Sequence, residues 1–191
     1  MEPLAASGFL TGFASEAVEL DDFDAVVRLH WPAVFRFALA SVRDSDAAET
    51  LTQDCFLHAW RGRGRFRGES TVKTWIMRIA VNLVRDHSRN RRLQFWKRTT
   101  AQALDIQTAG ERLADEQISS EARILREERI RAVWHVSASL PEQQRTAFLL
   151  RFVEDMELLE IAAAMGLKEG TVKVHLFRAV QTLRERLGGA Q

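Results

Sequence analysis

Apolar residues recur at helical spacing along most of the chain. Ala47, Leu51, Cys55 and Ala59 follow one another at four-residue intervals, which places them on one face of a helix. No convincing run of alternating apolar and polar residues predicts a strand. We therefore predict an all-α protein whose helices each bury one apolar stripe against their neighbours.

The first predicted helix begins at Asp21-Asp22, because acidic residues favour the first turn of a helix. Its apolar stripe continues to Leu39, but Pro32 falls in the middle. Proline has no N–H to donate, and its ring clashes with the preceding turn. We therefore expect two helical pieces that meet at Trp31-Pro32.

Two further helices in the first half begin at good capping residues. Asp44 or Ser45 is expected to cap a helix that runs to about residue 60, and Ser70 or Thr71 a longer one that runs to about residue 90. The longer helix has a predicted buried stripe of seven residues: Val72, Trp75, Ile76, Ile79, Ala80, Leu83 and Val84. Trp75 is ambiguous, since a tryptophan at this spacing is more often a core residue than a ligand contact.

The helical pattern fades after residue 93, and this break divides the chain. Residues 94–120 lack clear periodicity and are long for a loop within one domain, so we interpret them as a flexible linker. The predicted organisation is a tail at 1–20, a small helical domain at 21–93, the linker, and a second small helical domain at 121–188. A helix over about 120–139 is expected to open the second domain.

The end of the chain predicts a helix-turn-helix. Pro141 is expected at the first position of one helix, and a short apolar helix follows at 158–165. Gly166 is expected to end that helix, and a last helix begins near Glu169. The inward face of that last helix is predicted to hold Val172, Leu176, Ala179 and Leu183. For Phe177, a core position and an outward position remain equally open.

A concentrated basic segment lies at the end of the first domain. Between Arg61 and Arg98 there are twelve Lys and Arg residues against two acidic residues, although the net charge of the whole chain is +1. Residues 1–60, in contrast, hold ten acidic and three basic residues. A solvated helix with a basic face can explain a charge run, but so strong an excess of one sign, with aromatic residues among the cations, favours a nucleic-acid partner.

Other features disfavour several classes of protein. No apolar stretch reaches the ~18–20 residues that a membrane span needs, and the acidic N-terminus does not resemble a secretory signal. Cys55, the single cysteine, excludes an internal disulfide, fits a reducing cytosol, and is better interpreted as a core residue than as a redox sensor. No motif predicts an enzyme, so we expect no cofactor, no metal and no small-molecule substrate.

With these motifs in order, the chain resembles the extracytoplasmic-function (ECF) group of the sigma-70 family of bacterial RNA polymerase sigma factors. Three motifs carry the resemblance. The run LTQDCFLHAW at 51–60 is similar to the family's regions 2.1–2.2, and residues 66–70 with 74–82 are similar to regions 2.3–2.4. Leu140-Pro141-Glu142, together with residues 160–162 and 170–173, is similar to region 4.

The resemblance implies three binding surfaces. Core RNA polymerase, through its β′ clamp helices and β flap, is expected to bind Glu49, Gln53, Asp54, Phe56 and Trp60. The −10 promoter element, with one base flipped from the duplex, is expected to contact Arg65, Phe66, Arg67, Ser70, Lys73, Trp75, Arg78, Asn82, Arg85, Arg89, Arg91 and Arg92. The −35 element is expected to contact Thr171, Lys173, Val174, His175, Phe177 and Arg178 from the major groove.

Two departures from the family pattern concern the second domain. Glu157-Leu158-Leu159-Glu160 stands where relatives tend to have Ser-Tyr-Glu-Glu, and Val174-His175 stands where they often have Ser-Arg.

The resemblance further implies a cytoplasmic protein held inactive by an anti-sigma factor, which in this group is often membrane-anchored. An autonomous helix-turn-helix regulator is the alternative, although it leaves the basic segment and the acidic helix of the first domain unexplained.

Overall fold

The computed structural model describes residue 20 and residues 22–99, 133–134 and 136–188, with the side chains of 92–99 and 188 left aside. All regular structure in these ranges is helical, which confirms the all-α prediction. In the described part of the chain the α-helices are, in order and with a 3-10 turn at Arg63–Arg65, α1 Phe23–Val42, α2 Ser45–Gly62, α3 Val72–Thr99, α4 Glu142–Phe152, α5 Leu158–Met165 and α6 Glu169–Gly188. Residues 133–134 and 136–137 are helical as well. Most of the predicted tail, linker and helix at 120–139 lies outside the described residues.

Helix α1 is continuous, so the prediction of two pieces meeting at Trp31-Pro32 is wrong. Pro32 is exposed, and so is Arg28, whose carbonyl would otherwise accept the missing N–H. Because that carbonyl lies on the solvent side, water can satisfy it. Phe37 and Val34 pack into the core on the opposite side and hold the helix together across the proline.

Helices α1, α2 and α3 each begin at a side-chain cap, and those of α2 and α3 are the predicted ones. Asp22 Oδ1 accepts from the backbone N–H of Ala25, and Asp44 Oδ1 accepts from that of Ala47, each at 3.0 Å. Of the two candidates for α3, Thr71 supplies the cap, since its hydroxyl accepts from the Thr74 N–H at 3.1 Å. Such side-chain oxygens satisfy the amides that have no partner in the first helical turn.

Helices α1, α2 and α3 pack on one another and form the first unit. Cys55 is fully buried between them, with its Sγ 3.5 Å from the Ile76 carbonyl oxygen, which confirms the core interpretation.

Helix α1 is long and apolar enough to cross a membrane by length and composition, contrary to the expectation from the sequence. Its apolar side packs into the bundle, as that of a core helix does.

Helix α3 differs from its prediction in length and in the width of its buried face. It continues to Thr99, beyond the expected end near residue 90 and into the predicted linker. Thr74, Met77 and Val81 are buried although they lie off the predicted stripe. The reason is a second neighbour: α3 packs against α1 and α2 on one side and against α5 on another.

Helices α4, α5 and α6 form the second unit, in which α5 and α6 make the predicted helix-turn-helix. Gly166 ends α5 in the left-handed conformation at φ 66° and ψ 35°, a region that favours glycine. Pro141 has an extended ψ of 143° and is therefore the N-cap of α4, whereas the prediction placed it at the first helical position. The two units contact each other through α3 with α5 and through α1 with α4.

Candidate nucleic-acid interface

The loop before α3 presents an aromatic pair among arginines. Phe66 and Trp75 are both half-buried, and their ring centroids lie 5.2 Å apart. Gly68 turns the loop in the left-handed region at φ 70°, which a residue with a Cβ rarely adopts. Arg65 and Arg67 on either side of Phe66 are exposed, so the loop offers cations around one aromatic site.

The polar face of α3 continues this basic surface. Arg78, Arg85, Arg89 and Arg91 are exposed, and Asn82 is half-buried among them. Arg85 Nη2 donates to Asn82 Oδ1 at 2.8 Å, an arrangement that leaves the amide nitrogen of Asn82 available as a donor. Arg89 forms an exposed ion pair with Asp86 at 3.1 Å. The side chain of Arg92 lies outside the described residues.

Helix α2 carries the acidic surface. Glu49, Gln53 and Asp54 are exposed, and Gln53 Nε2 donates to Glu49 Oε1 at 3.3 Å. Trp60 is 45% exposed, with the Arg63 guanidinium stacked over its ring. Phe56, in contrast, is buried and stacks on Trp31 with centroids 5.6 Å apart, so it supports this surface from beneath.

Sequence reasoning missed Leu57 on the same helix. Its side chain is 42% exposed, although leucine is usually buried. Leu57 follows Gln53 by four residues and precedes Trp60 by three, so the three residues share one helical face. An apolar residue off the buried stripe, flanked by two residues already assigned to a surface, was the signal available in the sequence.

Helix α6 presents a different surface, which is open and partly apolar. Phe177 is 70% exposed and Val174 46% exposed, so the outward alternative for Phe177 is correct. Thr171, Lys173 and Arg178 are exposed alongside them, and Lys173 pairs with Glu169 one turn earlier. His175 is half-buried, and neither of its ring nitrogens has a hydrogen-bond partner within the described part of the chain.

One predicted −10 residue, Lys73, lies at the contact between the two units. Lys73 Nζ donates to the main-chain oxygen of Glu154 at 2.6 Å, and the neighbouring Thr74 is 2% exposed. Ser70 donates to the Thr71 carbonyl oxygen at 3.3 Å. The structure thus brings the predicted −10 residues together on the first unit, and the predicted −35 residues lie together on α6. No group of side chains that could hold a metal ion occurs among the described residues.

Comparisons with known proteins agree with this division into two units. A family model described as sigma-70 region 2 matches residues 26–94, and one described as sigma-70, region 4, matches residues 130–183. The RNA polymerase sigma-H factor of Pseudomonas aeruginosa is 32% identical over 167 residues, which cover 86% of each chain. The chain therefore belongs to the sigma-70 family of RNA polymerase sigma factors.

Its place within the family follows from further relatives. The ECF sigma factor SigM of Mycobacterium tuberculosis is 31% identical over 87% of this chain and 77% of its own length. The sigma factor RpoE of Bartonella quintana, solved in complex with the anti-sigma factor NepR, has the same fold, with a TM-score of 0.72, 24% identity and coverage of 89% of this chain and 99% of that one. The protein is an ECF sigma factor, and these relatives favour that assignment over an autonomous regulator.

Proposed function

We propose that this sigma factor joins core RNA polymerase through α2 and directs initiation at promoters with matching −10 and −35 elements. The observation that carries the proposal is the separation of one acidic surface, on α2, from two other exposed surfaces on different units: the basic one around α3 and the open, partly apolar one on α6. One chain can then hold a polymerase subunit and two DNA elements at once. The chain itself acts as a specificity subunit without catalytic activity.

Run-off transcription with core polymerase that lacks a sigma factor tests this proposal directly. We expect promoter-dependent transcripts only when the chain and the core are both present. An autonomous regulator would instead bind duplex DNA alone and would add no transcript to the core reaction. Absence of transcripts across a randomised promoter library would overturn the proposal.

The polymerase-binding surface combines Glu49, Gln53 and Asp54 with the exposed rings and methyl groups of Trp60 and Leu57. Such an apolar pair inside a polar rim is the arrangement that usually dominates interface energies. Replacing Leu57 or Trp60 with Ala should weaken capture by a β′ clamp-helix fragment by roughly 1–2 kcal/mol each. His58→Ala, on the same helix and also exposed, is the matched control and should bind like the wild type.

For the −10 element, the exposed arginines Arg65, Arg67, Arg78, Arg85, Arg89 and Arg91, with Arg92, would contact phosphates. The Phe66–Trp75 pair would receive a base that has left the stack, at an unpairing cost of a few kcal/mol. Asn82 would read a base edge through its amide nitrogen, since Arg85 already occupies the amide oxygen. Ser70 and Lys73 would complete this surface at the start of α3.

For the −35 element, α6 would enter the major groove with Thr171, Lys173, Val174, His175, Phe177 and Arg178. Lys173 and Arg178 can donate to guanine or to phosphate. The exposed apolar pair Val174 and Phe177 suits the methyl group of thymine, which is the apolar feature of the major groove. We therefore expect thymine at one or more positions that face this pair.

We further propose that this chain is cytoplasmic and that an anti-sigma factor anchored in the membrane controls it. A helical partner that covered the α2 surface and α6 together would exclude both polymerase and promoter. Competition between the partner and a β′ clamp-helix fragment for the immobilised chain tests this occlusion. A stable ternary complex would overturn occlusion, whereas the transcription assay above would still decide the sigma function.

A further inference from the structure

Two acidic residues of the second unit contact the first unit. Glu154 lies between α4 and α5, and its side chain is only 1% exposed. Arg36 of α1 holds it in a bidentate pair, with Nη2 2.9 Å from one carboxylate oxygen and Nε 3.3 Å from the other. Lys73 donates to the main-chain oxygen of the same residue at 2.6 Å. Two cations of the first unit are thus engaged by one acidic residue of the second.

Glu160 of α5 makes the second contact, and its side chain lies against the beginning of α3. Its Oε1 is 3.2 Å from the hydroxyl of Thr74 and 3.4 Å from that of Thr71, the residue that caps α3. Its other oxygen accepts from the Glu157 N–H at 2.9 Å and closes the capping box of α5. The N-terminus of a helix attracts anions because its amides and dipole point toward them.

Both carboxylates therefore occupy places on the first unit that suit an anion, next to a pair of cations and at a helix N-terminus. A DNA phosphate has the same preferences. Of the covered residues, Lys73 belongs to the surface assigned above to the −10 element, and Thr71 and Thr74 lie beside Ser70 and Trp75 of that surface. A DNA strand and the second unit cannot both use these positions.

We infer that the second unit and the −10 strand compete for one surface of the first unit, with Glu154 and Glu160 standing in for phosphates. The inference rests on the proposed function. Burial of an ion pair stabilises a contact only weakly, because desolvation offsets most of the attraction. The contact is therefore specific in geometry yet weak enough for polymerase or promoter to displace. The free chain populates the closed arrangement, in which the part of this surface around Lys73 is masked.

A dye-labelled full chain tests the inference. Cysteines introduced at the exposed positions Asp46 and Gln181 carry a donor and an acceptor, one on each unit. The native Cys55 escapes labelling at neutral pH because burial raises the pKa of its thiol to about 12. Glu154→Arg should lower energy transfer, since it sets like charges against Arg36 and Lys73. It should also raise the affinity of the free chain for a single-stranded −10 oligonucleotide by at least about tenfold, if a tenth or less of the wild type is open.

Three variants separate masking from simple charge. Glu185→Arg makes the same charge change at an exposed position of α6, so it should change affinity slightly and energy transfer not at all. Arg36→Glu combined with Glu154→Arg restores an opposite pair and should recover much of the energy transfer and the weak binding. Glu160→Gln keeps the cap of α5, because glutamine also serves in a capping box, and should give a smaller opening.

The inference is supported if Glu154→Arg lowers energy transfer and also binds the −10 oligonucleotide more tightly than Glu185→Arg does. Unchanged energy transfer in Glu154→Arg overturns the inference. Lower energy transfer without a gain in affinity for the −10 oligonucleotide also overturns it, and so does a result in which no variant binds the oligonucleotide. Circular dichroism melts check that each variant is folded. Run-off transcription by wild-type chain with core polymerase is measured in parallel, and its failure would count against the proposed function rather than against masking.

Discussion

The two helices proposed to contact DNA, α3 and α6, differ in what covers them. At the start of α3, Thr74 is 2% exposed and Lys73 is bonded to the second unit. On α6, Phe177 is 70% exposed and Val174 46% exposed. The start of α3 is polar, covered and already hydrogen-bonded within the chain, whereas the surface of α6 is partly apolar and open.

This difference means that the two surfaces gain affinity in different ways. DNA bound at the start of α3 would replace hydrogen bonds and an ion pair that the chain makes with itself, so the net gain would be the difference between two similar sets of contacts. DNA at α6 removes apolar area from water, at about 25 cal/mol per Å². On the proposed function, we therefore expect the −35 surface to be open as it stands, whereas the part of the −10 surface around Lys73 becomes available only when the units separate.

The largest expected effect is on the free energy of unfolding, which a buried residue of α3 and an exposed residue of α6 should change by very different amounts. Ile76 of α3 is fully buried, and Ile76→Ala should lower the free energy of unfolding by about 2–5 kcal/mol, because the variant buries less apolar area and leaves a cavity. Phe177→Ala on α6 should change it by less than about 0.5 kcal/mol. Urea unfolding measures both, and an equally large decrease for Phe177→Ala would contradict the open surface.

Base reading should also divide between the helices. Asn82→Ala should reduce discrimination at one −10 position, and Lys173→Ala at a −35 position, each by about 1–3 kcal/mol. Transcription from single-substitution promoter libraries measures this discrimination. If both variants lost activity equally on every promoter, the two residues would be structural or phosphate contacts instead.

Phosphate contacts along α3 should appear in the salt dependence of binding by the holoenzyme. Replacing Arg89 and Arg91 with Ala should flatten the slope of log affinity against log salt by about 0.7–0.9 for each phosphate that is no longer neutralised. Arg28→Ala, at an exposed position of α1, should leave the slope unchanged. A slope that stays the same in the double variant would show that these two arginines do not bind phosphate.

A finer test of the open surface uses the thymine methyl group. Replacing single −35 thymines with deoxyuridine should weaken wild-type binding about fourfold at one position, the equivalent of one methyl group at about 0.8 kcal/mol. Phe177→Ala should bind both templates alike, because the group that contacts the methyl is gone. Continued discrimination in that variant would assign the contact to another residue.

The smallest expected effect is a pH dependence of the covered surface. Burial raises the pKa of the Glu154 carboxyl above its usual 4.5, and the hydrogen bond and charge of Arg36 and the charge of Lys73 only partly oppose this. The closed form then holds the proton more tightly than the open form. The resulting stabilisation of closure is complete below pH 4.5 and is lost as the pH rises through the raised pKa. Energy transfer in the labelled chain should fall over that range, and Glu154→Gln should remove the dependence.

Local sequence determined most of the helices and their ends. Asp22, Asp44 and Thr71 cap helices because a short polar side chain can reach the free amides of its own first turn. Gly166 ends α5 because the left-handed conformation costs glycine little. The basic segment is likewise visible in the sequence, since charge depends on composition alone. These features involve residues within a few positions of one another.

Tertiary structure decided the features that depend on distant partners. Helix α1 stays continuous through Pro32 because its opposite side is held by packing, and Met77 and Val81 are buried because α5 covers a second side of α3. Phe177 is exposed because neighbouring helices cover only the other side of α6, a choice that helical period alone leaves open by one turn. The pair of Arg36 and Glu154 joins residues 118 positions apart. Periodicity shows that each helix has a face to bury, and only the packed chain determines which helix covers it.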